Sequence, residues 1–120
     1  MKKQYQFYVY IISNYLRTVF YTGFTNDIVR RIIEHKFGLY NGFSKKYQLK
    51  ILLYYEEYQY ANQAIDREKE IKKWRREKKI NLIKTTNFNM EDLSLKLFKD
   101  YNISQEEIVE YIREIKKEVG

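Results

Sequence analysis

The segment Phe7–Ser13 constrains this chain most. Phe-Tyr-Val-Tyr-Ile-Ile-Ser is a run of β-formers and reads as a strand. Side chains alternate along a strand, so Tyr8, Tyr10 and Ile12 share one face and Phe7, Val9 and Ile11 the other. Asn14–Arg17 is polar enough for a turn, and Thr18–Thr22 reads as a second strand broken by Gly23. The two are expected to form an antiparallel hairpin. Leu49–Tyr58, mostly apolar or aromatic, is a third strand and is expected at the centre of the sheet.

Helical signals fill the intervals. Asn26 is suited to cap a helix over Asp27–Phe37, with Asp27 complementing the helix dipole and Gly38 stopping it. Gly38–Tyr47 reads as a loop. Asn62 is suited to cap a second helix over Gln63–Trp74. After a kink, a short helix is expected over Arg76–Ile83, followed by a connector over Thr85–Met90. Ser104 opens a final helix, where Glu107 completes a capping box and Ile108, Tyr111, Ile112 and Ile115 make an apolar stripe. The order β-β-α-β-α-α-α predicts an α+β fold: a small, mostly antiparallel three-stranded sheet flanked by helices, with an extra C-terminal helix. A domain over residues 1–93 and a helical extension over 94–120 are expected. The acidic last helix could serve as a lid, a protein-partner surface or plain packing.

Composition narrows the chemistry. The 120 residues include no cysteine and one histidine, which excludes disulfides, thiol nucleophiles and Cys- or His-rich zinc sites. A metal would be held mainly by carboxylate and water, which favours Mg²⁺ or Mn²⁺. The 13 tyrosines are costly to bury without hydrogen-bond partners, so some are expected at a surface or cleft. No signal-peptide pattern and no membrane-spanning run occurs, so a cytoplasmic protein is expected, without membrane contact. The net charge of +7 is uneven. Residues 1–87 hold 18 Lys/Arg against 8 Asp/Glu, whereas residues 88–120 hold 5 against 8. A basic body attracts polyanions and speeds encounter with them.

Two helices carry residues that packing alone does not explain. In the helix after the third strand, Ala61, Ala64, Ile65 and Ile71 fall on one face, and Glu68 lies in the middle of it. The charged neighbours Arg67, Lys69, Glu70 and Lys73 can turn to solvent. A carboxylate on a buried face needs a cation, a metal or strong donors. The phase leaves two readings open: a metal ligand, or a salt bridge to a nearby Lys or Arg. In the first helix Ile28, Val29, Ile32 and Ile33 set the buried arc. Arg31 and His35 sit at its rim, while Arg30 and Glu34 fall on the outer face. A rim arginine can reach a phosphate while its stem packs.

These pieces together resemble a known family. Tyr8-Val9-Tyr10, followed by Tyr21-Thr22-Gly23, resembles the paired motif of the GIY-YIG nucleases. Asn26–His35 is similar to that family's helix motif, and Arg67–Lys79 to its small bacterial single-domain branch. The resemblance runs from about Tyr5 to Leu93, with Tyr8 in place of Gly and Thr22 in place of Ile. Phe88 and Met90 stand where the branch often has Pro and Trp.

The resemblance implies a metal-dependent endonuclease acting on DNA, in a family whose members serve repair, recombination, restriction and homing. It implies Tyr10 as general base, directly or in a relay with Tyr21 and His35. It further implies Arg31 as phosphate stabiliser, Glu68 as metal ligand and Asn87 as a residue that closes the site. Lys72, Lys73, Arg75, Arg76, Lys78 and Lys79, with Arg67, read as a surface that tracks phosphates. Trp74 could stack on a base, although core packing fits it better. The competing readings are a non-catalytic nucleic-acid-binding module of the same fold and, resting on the acidic helix, a protein adaptor.

Overall fold

A computed structural model describes residues 6–39 and 42–119. Tyr5, where the resemblance begins, and Tyr40 and Asn41 of the Gly38–Tyr47 segment lie outside them. Strand β1 (Phe7–Ser13) forms where the sequence places it, and β2 spans Phe20–Thr25. Helices α1 (Ile28–Lys36) and α2 (Phe43–Lys46) precede β3 (Ile51–Tyr58). Then come α3 (Ala61–Lys72), α4 (Arg76–Thr86), α5 (Ser94–Asp100) and α6 (Gln105–Val119). The sheet is antiparallel throughout, in the order β2-β1-β3, and the fold is α+β as expected.

The centre of the sheet is β1, not the Leu49–Tyr58 segment. β3 is as apolar as a central strand because helices cover both of its faces. Leu52 enters one core, and Leu53 and Tyr54 the other. The alternation along β1 holds as read. Tyr8, Tyr10 and Ile12 join α1, α5 and α6 in one core, whereas Val9 and Ile11 join α3 and α4 in the second. Leu97, Phe98 and Ile115 from beyond residue 93 are buried in the first core with Tyr10.

Several boundaries differ from the sequence reading, each for a local reason. Gly23 does not break β2 but pairs with Tyr10 inside it. The cap of α1 is Asp27, not Asn26. Its carboxylate accepts the Arg30 N–H at 3.1 Å, and Thr25 Oγ1 accepts the Asp27 N–H at 3.0 Å. Gly38 ends α1 as expected, at φ +61°, with its N–H on His35 O and the Leu39 N–H on Glu34 O. This is a Schellman closure, and the left-handed position suits glycine.

The Gly38–Tyr47 segment contains the single turn α2 rather than loop alone. α3 begins at Ala61 after Tyr60, with no side-chain cap from Asn62. α4 continues to Thr86 instead of ending at Ile83. α5 has no counterpart in the sequence reading. Asp92 opens it, accepting the Ser94 N–H at 3.0 Å and the Ser94 hydroxyl at 2.7 Å. Asp92 also takes the Leu52 N–H and pairs with Lys36 at 2.7 Å, tying α5 to β3 and α1. The capping box of α6 forms as read, with Ser104 N–H on Glu107 at 2.9 Å and Glu107 N–H on Ser104 Oγ at 3.1 Å. The apolar stripe of α6 lies against the first core, so that face serves packing.

Candidate active site

Tyr10 is wholly buried, and its ring lies across Gly23. A Cβ at Gly23 would stand 2.4 Å from Tyr10 Cζ and Oη, so only glycine lets the strand pass beneath the ring. The Tyr10 hydroxyl is 3.1 Å from His35 Nε2, and His35 Nδ1 is 2.9 Å from Ser44 Oγ. Tyr21 completes the cluster, its ring centroid 6.5 Å from Tyr10 and 6.4 Å from His35. It stands near the start of β2 rather than near its end, because β2 begins at Phe20. Phe43 of α2 covers it, with ring centroids 6.0 Å apart. Ser44 and Phe43 were not legible as site residues, since nothing in their spacing distinguishes them from ordinary loop residues.

Burial sets the protonation of this cluster. Desolvation pushes the Tyr10 phenol well above its ordinary range, and the Arg31 charge pulls against it. Desolvation, aided by Arg31, lowers His35 to about 4, so the imidazole is neutral at physiological pH. A neutral imidazole that donates from Nδ1 to Ser44 leaves Nε2 to accept the Tyr10 proton.

Arg31 stands at the rim of α1, as its helical phase requires. Its Nε lies 3.0 Å from Glu34 Oε1. Glu34 does not face outward: its side chain is 2% exposed and also takes Arg30 Nε at 3.0 Å. Arg30 reaches Glu118 of α6 as well. The two arginines cover Glu34, so a carboxylate that helix phase assigns to solvent is buried under its own neighbours. This pairing holds Arg31 beside the tyrosine–histidine cluster.

Glu68 projects from the buried face of α3, with its side chain 16% exposed. Lys72, one turn on, holds its Oε2 at 2.8 Å. The Lys72 ammonium also lies 5.6 Å from the Tyr21 ring centroid. Lys72 therefore links Glu68 on one face of the sheet to the tyrosine cluster on the other, around the β2 edge. Among the described residues no group of three His, Asp or Glu side chains is placed to hold a metal. A single, mostly buried carboxylate with the remaining positions left to water fits Mg²⁺, which keeps several of its waters. A metal on Glu68 Oε2 would have to displace Lys72.

Asn87 is placed differently. Its Nδ2 donates to Leu53 O at 3.0 Å and Glu91 O at 2.8 Å, and its Oδ1 accepts the Glu91 N–H at 3.0 Å. It clamps the end of α4 to β3, and none of these bonds reaches Tyr10, Tyr21, Arg31, His35 or Glu68. The basic run is also divided. Arg67 turns inward rather than to solvent, binding Glu56 through Nε and Nη2 at 3.0 Å each. The same carboxylate accepts the Tyr54 and Tyr58 hydroxyls at 2.6 Å each. Trp74 packs in the second core between Arg67 and Lys78, whose cations lie 5.1 and 4.4 Å from its centroid. Arg76 holds backbone carbonyls of Arg17 and Thr18. Lys73 and Arg75 stand exposed at the α3–α4 corner, and Lys79 is half-buried.

The family model described as the GIY-YIG catalytic domain matches residues 6–81. A UPF0213 protein of Staphylococcus saprophyticus is 37% identical over 76 residues, covering 63% of this chain and 92% of its own. A UPF0213 protein of Staphylococcus aureus strain Mu3 is 38% identical over 64 residues, covering 53% of this chain and 78% of its own. No solved structure matches the chain significantly.

Proposed function

Because the chain belongs to the GIY-YIG catalytic-domain family, we propose that it is a divalent-metal-dependent endonuclease hydrolysing phosphodiester bonds in DNA. The observation that carries this reading is the part-buried Tyr10–His35 hydrogen bond, with Tyr21 and Arg31 beside it and Glu68 linked through Lys72. A packing cluster has no need of a neutral histidine, an arginine at the rim and a buried carboxylate together. The description of the matched family as catalytic supports the same reading.

The roles follow from protonation and charge. Tyr10 is protonated and His35 neutral in the free protein. Tyr10 therefore acts as a relay once substrate opens its buried hydroxyl to the site: it takes a proton from the attacking water as its own proton passes to His35 Nε2. The phosphate that enters beside His35 stabilises the resulting imidazolium. The new oxygen–phosphorus bond forms as the bond to the 3′ oxygen breaks; the departing 3′ oxygen takes a proton from water, and the His35 imidazolium returns its proton to solvent as product leaves. Arg31 pairs with a non-bridging oxygen, where charge develops. Glu68 would hold Mg²⁺ or Mn²⁺, which supplies Lewis-acid stabilisation of phosphate and leaving oxygen when bound. Tyr21 and Phe43 wall the site, and Asn87 keeps α4 on β3. Lys72, Lys73, Arg75, Arg76, Lys78 and Lys79 supply the positive flank that a polyanion meets. None of the described helices is long and apolar enough to cross a membrane.

The Lys72–Glu68 pair favours a second reading, a nucleic-acid-binding module whose metal position is closed by its own lysine. A panel of nicked, branched and single-stranded substrates with Mg²⁺ or Mn²⁺ separates the two. Cleavage that disappears in Glu68→Gln supports the nuclease. Binding without cleavage in either metal supports the module.

A further inference from the structure

The tip of the β1–β2 hairpin presents two large apolar side chains to solvent. Tyr15 is 78% and Leu16 74% exposed. Neither packs into a core, yet the turn that carries them is firmly built. Asn14 Oδ1 accepts the N–H groups of Thr18 at 2.8 Å and Val19 at 3.1 Å, while Asn14 Nδ2 donates to Thr18 Oγ1 at 2.7 Å. Arg17, at φ +58°, donates its N–H to Asn14 O. Its guanidinium binds Tyr15 O within the turn and Met90 O across it, the latter from Nε at 3.1 Å and Nη2 at 2.9 Å. These bonds fix the turn that carries Tyr15 and Leu16, and the Arg17 guanidinium lies 5.8 Å from the Tyr15 ring centroid.

The surroundings of this tip are cationic. Arg76 holds the Arg17 and Thr18 carbonyls, so the start of α4 is bolted to the neck of the hairpin. Residues 71–90 contain seven Lys/Arg and one acid, Glu77. The tip also lies at the end of the sheet that carries Tyr21, which is one residue into β2. At a strand rise of about 3.3 Å per residue, the tip stands on the order of 10–15 Å from Tyr21. That is roughly three or four base steps along a strand.

We propose that Tyr15 and Leu16 form an apolar wedge that enters an opened base step of the nucleic acid, a few nucleotides from the phosphate at the Tyr10–Tyr21–His35 cluster. An apolar pair flanked by the Arg17 and Arg76 guanidinium groups suits nucleic acid, because phosphates meet the charges while the wedge replaces lost base stacking. The substrate class it selects is DNA with a step already weakened at a nick, flap or branch, where opening costs least. The inference rests on the nucleic-acid reading above and deepens it.

The test measures binding of the full chain to a nicked or branched duplex and to an intact one, in Ca²⁺ to withhold cleavage. A 2-aminopurine base is placed three or four nucleotides from the junction. The parent protein is expected to raise its fluorescence and to favour the junction by about tenfold. Tyr15→Ser/Leu16→Ser is expected to lose both the fluorescence rise and the preference, and to bind intact duplex within twofold of the parent. Both residues are exposed, so an unchanged thermal unfolding midpoint establishes that the variant folds. A variant that keeps the preference and the fluorescence rise overturns the wedge alone. A parent protein that binds neither DNA overturns the nucleic-acid reading together with the wedge.

Discussion

Tyr10 and Gly23 are bound to each other by shape. Any side chain at position 23 strikes the Tyr10 ring, which is itself wholly buried in the first core. Gly23→Ala is therefore expected to lower stability by about 1–3 kcal/mol, read as a shifted denaturation midpoint, and to disturb the Tyr10–His35 bond. His35 makes a pH-dependent contribution. Its folded pKa of about 4 lies below the ordinary 6.5, so the unfolded chain binds a proton more readily between those values. The contribution is present above 6.5 and lost as pH falls toward 4. Urea midpoints should decline over that window, and His35→Gln should flatten the decline. Arg31→Lys retains charge but loses the planar fork, so cleavage should fall by roughly 10²-fold, with DNA affinity changing far less. At this scale strand alternation put Tyr10 on the buried face, and helix phase put Arg31 and His35 at the rim of α1 and Glu68 on the buried face of α3, where the structure has them, while their roles rest on the family resemblance. Glu34 was not: phase put it on the outer face, and only the folding-over of Arg30 and Arg31 buries it. Lys72, read as a phosphate contact, pairs with Glu68 in the free protein, the salt bridge that the phase of α3 had left open for Glu68.

Elements were legible where their signals were local. β1, the closure of α1 at Gly38 and the capping box of α6 all depend on residues within a few positions of each other. The capping box is exposed and self-contained, so Ser104→Ala should cost about 1 kcal/mol, measured by thermal or chemical unfolding, and leave nuclease activity unchanged. Elements that depend on distant partners were not legible. α5 is tied into the fold because Asp92, which caps it locally through Ser94, also joins Leu52 and Lys36, 40 and 56 positions away. The edge position of β3 follows from which strand pairs twice, and a run of apolar residues carries no such information. The sheet's other edge, β2, is the one around which Lys72 reaches Tyr21, so the order of strands decides how α3 meets the tyrosine cluster.

The whole molecule joins a basic body to an acidic extension through a shared core. Leu97, Phe98 and Ile115 lie buried with Tyr8, Tyr10 and Ile33. Truncation after Leu93 should consequently abolish cooperative unfolding, rather than release an active shorter domain; circular dichroism and a thermal melt would read it. The positive charge lies mainly outside that extension, in residues 1–87. DNA affinity should fall steeply as salt rises, by an order of magnitude or more between 50 and 200 mM if several phosphates are engaged. The most direct test of the account is the single-turnover cleavage rate of branched DNA as Mg²⁺ is titrated, for the parent and for Glu68→Gln. A saturable rate in the parent, lost by about 10²–10³-fold in the variant while DNA binding persists, is the expected result. A variant that cuts at the parent's rate, or a parent that cuts in no divalent metal, would contradict it.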